Sequence, residues 1–357
     1  MSTITVIVPV YNAEKTLRAC LEALMNAEQT PEQILVVDDC STDDGMQVAA
    51  MFGTDRLQIM TAVSDQPGGP GDARNRAARV AIGDILLFVD SDVALHRDAV
   101  RRVRESFATE PEIAALFGSY DDAPPAPGLP SRYKNLLHHH VHQHGQKDAG
   151  TFWAGCGAVR RDVFLAVGGF DVARFPRPSV EDIELGMRLR RLGHAIRLVP
   201  EIQGTHWKRW SLGNLIRTDI FARAVPWTVL LLEEGNGLPN DLNLGLRSRL
   251  SAFAALLVAA APFAALVLVS PYLLLLIPIG IVLVVTANAS LFRFFGKRGG
   301  FALIIVAAFL HTLYLLYGTA TFLAVSLLYR SGVFPRRRIA RRKPEAALAL
   351  SAEDLRR

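Results

Sequence analysis

Residues 90–92 read Asp-Ser-Asp and close the aliphatic run "LLFVDSDV" of residues 86–93. Two carboxylates one residue apart repel each other and are costly to desolvate. A hard divalent cation removes that penalty, because Mg²⁺ and Mn²⁺ take carboxylate oxygens and commonly bridge them to substrate phosphates. Aspartate is also a frequent turn and cap residue, so the pair alone leaves a plain strand-end turn as the alternative. "VVDDCSTDD" supplies a second acidic strand end at Asp38 and Asp39. "GGPGDARNRA" reads as a glycine-rich turn opening a helix with Arg74 and Arg76, a setting in which backbone N–H groups and guanidinium groups suit an anion. "EDIELGMRLRRLG" sets Glu181 and Asp182 at the start of an amphipathic helix. Asp182 has two readings, as a general base and, with Ser179 three residues earlier, as the acidic member of a capping box.

The elements that must position these groups are short. "TVIVPVYN", "QILVVDDCS" and "DILLFVDSD" are β-branched or aliphatic runs ending in polar residues, and "AEKTLRACLEALMNAE" and "GDARNRAARVAI" between them carry helical periodicity. Strands alternating with helices predict an α/β fold with a mostly parallel, doubly wound sheet. Ligands of such sheets bind beyond the carboxyl ends of the strands, where Tyr11, Asn12, Asp38, Asp39, Asp90 and Asp92 fall. The alternation fades after Val93, "DDAPPAPGLP" reads as an exposed loop, and no internal repeat is visible.

The order of "VIVPVYNAE", "VVDDCSTDD", "GPGDARNRA", "LLFVDSDV", "GGFD", "VEDIELGMRLRRLG" and "HWKRW" resembles that of the family 2 glycosyltransferases, over residues 4 to about 210. The resemblance implies a GT-A fold (Rossmann-like), a nucleotide-sugar donor, Mg²⁺ or Mn²⁺ as cofactor, and transfer with inversion. By the same resemblance, Pro9, Tyr11, Asn12 and Glu14 line the nucleotide pocket, Asp39 reads the base and Arg74 helps hold the nucleotide. Asp90, Ser91 and Asp92 would organise ribose, metal and diphosphate, with Asp90 and Asp92 on the metal, and Asp182 would be the catalytic base. These roles suit the chemistry: a diphosphate leaving group needs positive charge, and the acceptor needs a base on the opposite side of the anomeric carbon.

"HWKRW" is similar to the QxxRW signature of the processive polysaccharide synthases, with His206 where those have glutamine and Arg209 and Trp210 in place. Glu181, His206, Arg209 and Trp210 are therefore expected near the acceptor or diphosphate. His206 either approaches the metal or donates a hydrogen bond. His138, His139, His140, His142 and His144 have helical spacing but no Cys or acidic partner, so a polar, acceptor-facing helix is the preferred reading over zinc. Trp153, Gly155, Cys156 and Gly157 are expected as a tight strand and turn beneath the acceptor pocket, with Cys156 in the core.

The 357 residues have a hydrophobic fraction of 50% and a mean hydropathy of +0.24. No charged side chain occurs between Leu250 and Leu291, nor between Phe301 and Tyr329. About 20 apolar residues cross a bilayer, so spans are expected at about 251–270, 272–292 and 301–329, with the turn at Ser270-Pro271. This divides the chain into a cytoplasmic catalytic domain at 1–246, a transmembrane region at 247–330 and a basic tail at 331–357. "LGNLIRTDIFARAVPWTVLLL" has the makings of an interfacial helix near 211–232, with a buried amphipathic helix as its alternative. The net charge of +5 gathers at Arg293, Lys297, Arg298 and in "PRRRIARRKPE", beside the spans, which favours anionic lipid over nucleic acid as the partner. Three spans would put that tail outside, against the charge bias, unless 301–329 folds back. The start of the chain lacks the basic opening and apolar length of a signal peptide, and Cys20, Cys40 and Cys156 show no pairing pattern, as in a reducing compartment.

The sequence thus predicts a multi-pass enzyme of a bacterial-type inner membrane, moving sugar from a nucleotide-sugar to a lipid-linked or glycolipid acceptor. A processive polysaccharide synthase and a non-catalytic nucleotide-sugar-binding membrane protein are the alternatives.

Overall fold

The computed structural model describes residues 2–234 and 246–334. The described residues divide into two compact units, one built from the chain up to Pro125 and from Gly145–Lys208, the other from Ala126–His144 and the described residues from Arg209 to 334.

The first unit alternates strands and helices: β1 (Ile4–Val10), α1 (Glu14–Met25), β2 (Gln33–Asp38), α2 (Gly45–Ala50), β3 (Leu57–Met60), α3 (Pro70–Val80), β4 (Ile85–Val89), β5 (Val93–Leu95), α4 (Ala99–Thr109) and β6 (Ile113–Tyr120). After α5 (Leu129–Gln143), a helix of the second unit, follow β7 (Cys156–Arg160), α6 (Arg161–Ala166), α7 (Glu181–Arg191) and β8 (Ala195–His206). The eight strands form one sheet in the order β3-β2-β1-β4-β7-β6-β8-β5. The first four are parallel, β7 runs against both β4 and β6, and β5 runs against β8. β1 and β4 are buried along their whole length, as continuous aliphatic runs in a sheet covered on both faces require. Leu17, Leu21 and Leu24 of α1 cover one face, while Ala73, Ala77 and Ala78 of α3 cover the other with Phe164 and Phe170, which pack on Phe88 of β4.

The register sets Val10 opposite Asp38 and Ile7 opposite Phe88, so β1, β2 and β4 finish along one edge. Pro9 is buried in β1 just past the last pairing with β4, where its missing N–H leaves no ladder bond unmade.

The second unit contains α5, α8 (Leu212–Arg217), a π-helical turn at Thr218–Ala224, α9 (Val225–Glu234), α10 (Leu246–Val267), a 3₁₀ turn at Pro271–Leu275, α11 (Leu276–Ala287) and α12 (Ala289–Arg330). Two of these helices are long and apolar enough to cross a membrane, at Ser248–Val267 and Ala289–Arg330. Residues 272–292, expected as a span, comprise the rest of the 3₁₀ turn, the 12-residue α11 and, past Asn288, the start of α12. The 42-residue α12 leaves helical geometry at Gly299 and Gly300, so the basic Arg293, Lys297 and Arg298 precede the break and the uncharged run begins after it. The expected interfacial segment is helical throughout in the form of α8, the π-turn and α9. Nearly all of the basic tail lies outside the described residues.

A buried polar network ties this unit together. Lys134 Nζ of α5 donates to both Asp219 oxygens at 2.7 and 2.9 Å, and Arg223 and the Tyr317 hydroxyl of α12 donate to the same carboxylate. Each partner answers the cost of burying the others' charge.

Candidate functional site at the carboxyl edge of the sheet

Asp90 directly follows β4, and its Oδ1 accepts from Arg74 Nη2 at 2.5 Å. Arg74 comes from α3, keeps 4% of its side chain exposed, and also approaches Glu181 Oε1 at 3.7 Å through Nη1. The guanidinium lies over the Phe170 ring at 5.5 Å. Asn75 fixes the same helix by bonding both the N–H and the C=O of Phe170, each at 2.9 Å. One arginine therefore joins the carboxylate after β4 to the first turn of α7.

Asp39 follows β2 and is 5% exposed. Its two oxygens accept from the Gly68 and Gly69 N–H groups at 2.8 and 2.9 Å, immediately before α3. The anion held by this glycine turn is thus the protein's own carboxylate. Gly69 has φ +84°, and a Cβ there would come within 2.9 Å of the Pro176 carbonyl oxygen, which explains the residue type.

Asp92 lies two residues past Asp90, in the turn closed by Val93 N–H bonding the Asp90 carbonyl at 2.9 Å. Its Oδ1 is 3.6 Å from His206 Nε2 at the end of β8, brought there by the Val93–His206 pairing. His206 is buried and stacks on Tyr120 with centroids 4.0 Å apart and planes within 5°. Burial works to raise the Asp92 carboxyl, but His206 and Lys208 outweigh it and hold it down at about 2.

Asp182 is the second residue of α7. Its Oδ2 accepts from Ala154 N–H at 3.1 Å and its Oδ1 from Ile183 N–H at 2.8 Å. Burial first, and the adjacent Glu181 charge second, push its carboxyl up to about 7. Val180 is the N-cap and makes no side-chain cap bond, so Ser179 and Asp182 stand one place off the positions of a capping box, and Ser179 N–H bonds Glu181 at 2.8 Å. Gly186, one turn on, brings α7 against the Phe152 backbone, where a Cβ would collide with the Phe152 nitrogen. Gly155 leads into β7, and Cys156 is buried in the core.

At the same edge, Tyr11 is 54% exposed and Asn12 adopts φ +51°, its amide oxygen accepting from Thr42 N–H at 2.7 Å. Glu14 begins α1 with its N–H bonded to Asp43, and Ser91 is half-buried in the turn between Asp90 and Asp92. Arg209 and Trp210 fall in the second unit. Arg209 is exposed, whereas Trp210 is 3% exposed and packs with Tyr133, Leu136 and Phe295, its backbone bonded to Ser131. The histidine run lies on α5, where His140 stacks on His144 at 4.1 Å and burial lowers His140 and His142 to about 4.

Among the described residues no three His, Cys, Asp or Glu side chains form a complete metal cluster. The donor set still fits a hard cation that draws its remaining ligands from diphosphate and water. Neighbouring donors on an octahedral ion with bonds of about 2.1 Å lie about 3 Å apart, close to the 3.6 Å between Asp92 and His206.

The family model for Glycosyl transferase family 2 matches residues 5–168, which include β1 to β4, the Asp39 clamp and the Asp90–Asp92 turn. Residues 5–168 form a family 2 glycosyl transferase domain. Over 103 residues the chain is 35% identical to the poly(ribitol-phosphate) β-N-acetylglucosaminyltransferase TarS of Staphylococcus aureus, covering 28% of this chain and 18% of that one. Over 102 residues it is 34% identical to the poly(ribitol-phosphate) β-glucosyltransferase of Bacillus spizizenii, covering 28% and 16%. The chain thus matches less than a fifth of the length of either relative. The crystal structure of S. aureus TarS 1–349 in complex with UDP-GlcNAc superposes with TM-score 0.51 at 18% identity, covering 92% of each chain. The fold is GT-A, in agreement with the mostly parallel sheet expected from the motif order.

Four contributions escape the motif reading: the Gly68–Gly69 clamp on Asp39, the Tyr120 platform under His206, the Ala154 N–H on Asp182, and Asn75. The glycine pair carried the one visible signal, since Tyr120, Ala154 and Asn75 act through contacts distant in sequence.

Proposed function

We propose that the domain transfers a sugar from a nucleoside-diphosphate donor with inversion, and that Asp182 is the general base. The observation that carries this reading is a carboxyl pushed up to about 7 on the edge that also holds Asp90 and Asp92. At neutral pH such a group is divided between its two forms, the condition under which a general base is most effective.

In this reading Asp39, Tyr11, Asn12, Glu14 and Pro9 surround the nucleoside, and Arg74 acts through Asp90. Asp92 and His206 would hold Mg²⁺ or Mn²⁺, with Asp90, expected from the motif as a second carboxylate ligand, turned to Arg74, and the ion would supply positive charge to the leaving diphosphate. Asp182 takes the acceptor proton while the acceptor oxygen bonds the anomeric carbon and the bond to diphosphate breaks.

The acceptor in this proposal is lipid-linked, and the second unit anchors the domain to the cytoplasmic face of a bilayer. Support comes from the two long apolar helices and from large side chains such as Phe263, Leu266, Phe301 and Phe309 that are exposed on them. Single transfers, not polymers, are the expected products. Detergent-purified full-length protein, given UDP- and GDP-sugars, a membrane lipid extract and Mn²⁺ or Mg²⁺, should release nucleoside diphosphate and give a lipid-extractable singly glycosylated product. No release from any donor by folded protein would sink the proposal.

A further inference from the structure

Glu181 is 6% exposed, so its carboxylate has little access to an acceptor or a diphosphate. What it faces is Arg74 Nη1 at 3.7 Å, while Ser179 N–H binds its other oxygen at 2.8 Å. Arg74 spends Nη2 on Asp90 at 2.5 Å, and its Nε has no hydrogen-bond partner. A guanidinium with one unmade bond is held here by charge on two sides, and both charges are needed to offset its burial. The next residue after Glu181 is Asp182, whose own oxygens are tied to Ala154 and Ile183.

We infer that Glu181 is a positioning residue: its buried carboxylate holds Arg74 between Asp90 and the first turn of α7, and it sets a charge beside Asp182 in that turn. This deepens the proposed function and rests on it for the role of Asp182.

The groups facing Asp182 are few. Burial first and Glu181 second raise its carboxyl, and the Ala154 N–H, Arg74 and the Ile183 N–H lower it. Burial first, against the pull of Arg74, pushes Glu181 itself up, with Asp90 beyond Arg74 adding to it, while Glu184, one turn along α7, is bonded to Arg188. Removing the Glu181 charge takes away the like-charge repulsion while Asp90 still holds Arg74 at 2.5 Å, so Asp182 titrates at lower pH.

The test is a carbon-13 titration of full-length protein labelled at aspartate carboxyls, in detergent, with Asp182→Asn identifying the resonance. In the unaltered protein that resonance should titrate near neutral pH. In Glu181→Gln its midpoint should fall by about one pH unit, and in Glu181→Asp, which keeps the charge, it should stay high. The acid limb of donor turnover should move with it, while a merely structural role would lower turnover at every pH and leave the limb in place. An unmoved midpoint in Glu181→Gln overturns the inference, as does a loss of fold in both variants. The titration needs no substrate, so it can fail while Asp182→Asn still abolishes turnover. Conversely, an active Asp182→Asn with a shifted midpoint would remove the base assignment and leave the coupling intact.

Discussion

His206 Nε2 lies 3.6 Å from Asp92 Oδ1, although the two stand 114 positions apart in the chain. The pairing of β5 with β8 produces that approach, and Tyr120 fixes the ring by stacking. His206→Ala and Asp92→Ala should each weaken donor binding in Mn²⁺ by tenfold or more, with binding in excess chelator nearly unchanged. Isothermal titration with the accepted nucleotide-sugar decides it, and equal affinities with and without metal in the unaltered protein would contradict the assignment. Interacting carboxylate and imidazole ligands set the scale of this expectation.

Trp210 is packed among Tyr133, Leu136 and Phe295, with Arg223 5.7 Å from its ring centre. Trp210→Ala should therefore destabilise by about 3–5 kcal/mol, while donor affinity of the folded fraction stays within twofold. Thermal unfolding in detergent together with donor titration checks both halves. A stable variant with much weaker donor binding would move Trp210 into the donor site.

Lys134 and Asp219 share a site in which both side chains are at most 4% exposed. Losing one partner strands the other's charge, so Lys134→Met alone should destabilise by about 3–5 kcal/mol. The double variant Lys134→Met with Asp219→Leu should recover much of that loss, since Arg223 is partly open to water. Equal stability of the single variant and the parent protein would show that the pair contributes nothing.

The parallel half of the sheet was legible because β1, β2 and β4 are uninterrupted aliphatic runs, and each ends in the polar residues that now share an edge. The reversal at β7 was not, because "CGAVR" has no periodicity that distinguishes parallel from antiparallel pairing. Asp182 looked like half of a capping box because Ser179 stands at the right spacing. The chain instead begins α7 at Glu181 with Val180 as the N-cap, which leaves Ser179 to bond Glu181 through its backbone. Asp39 gave no hint of its grip on Gly68 and Gly69, since that contact closes a loop of about 30 residues. "HWKRW" reads as polar, yet Trp210 is buried with residues of α5 and α12 whose approach no local pattern encodes.

The pH profile should show the raised Asp182 carboxyl directly. A base works only when deprotonated, so kcat/KM should fall about tenfold per pH unit below about 7 and level off above it. Activity that stays flat from pH 5 to 8 would mean that Asp182 titrates elsewhere or takes no proton.

The most direct measurement is turnover by Asp182→Asn with a hydroxyl acceptor, set beside its donor affinity. Asparagine keeps the shape and can still accept from Ala154 N–H, but it cannot take a proton. The variant should bind donor and Mn²⁺ within a few-fold of the parent protein and lose about 10²-fold or more in kcat. Near-parental kcat with unchanged donor affinity would contradict Asp182 as the base.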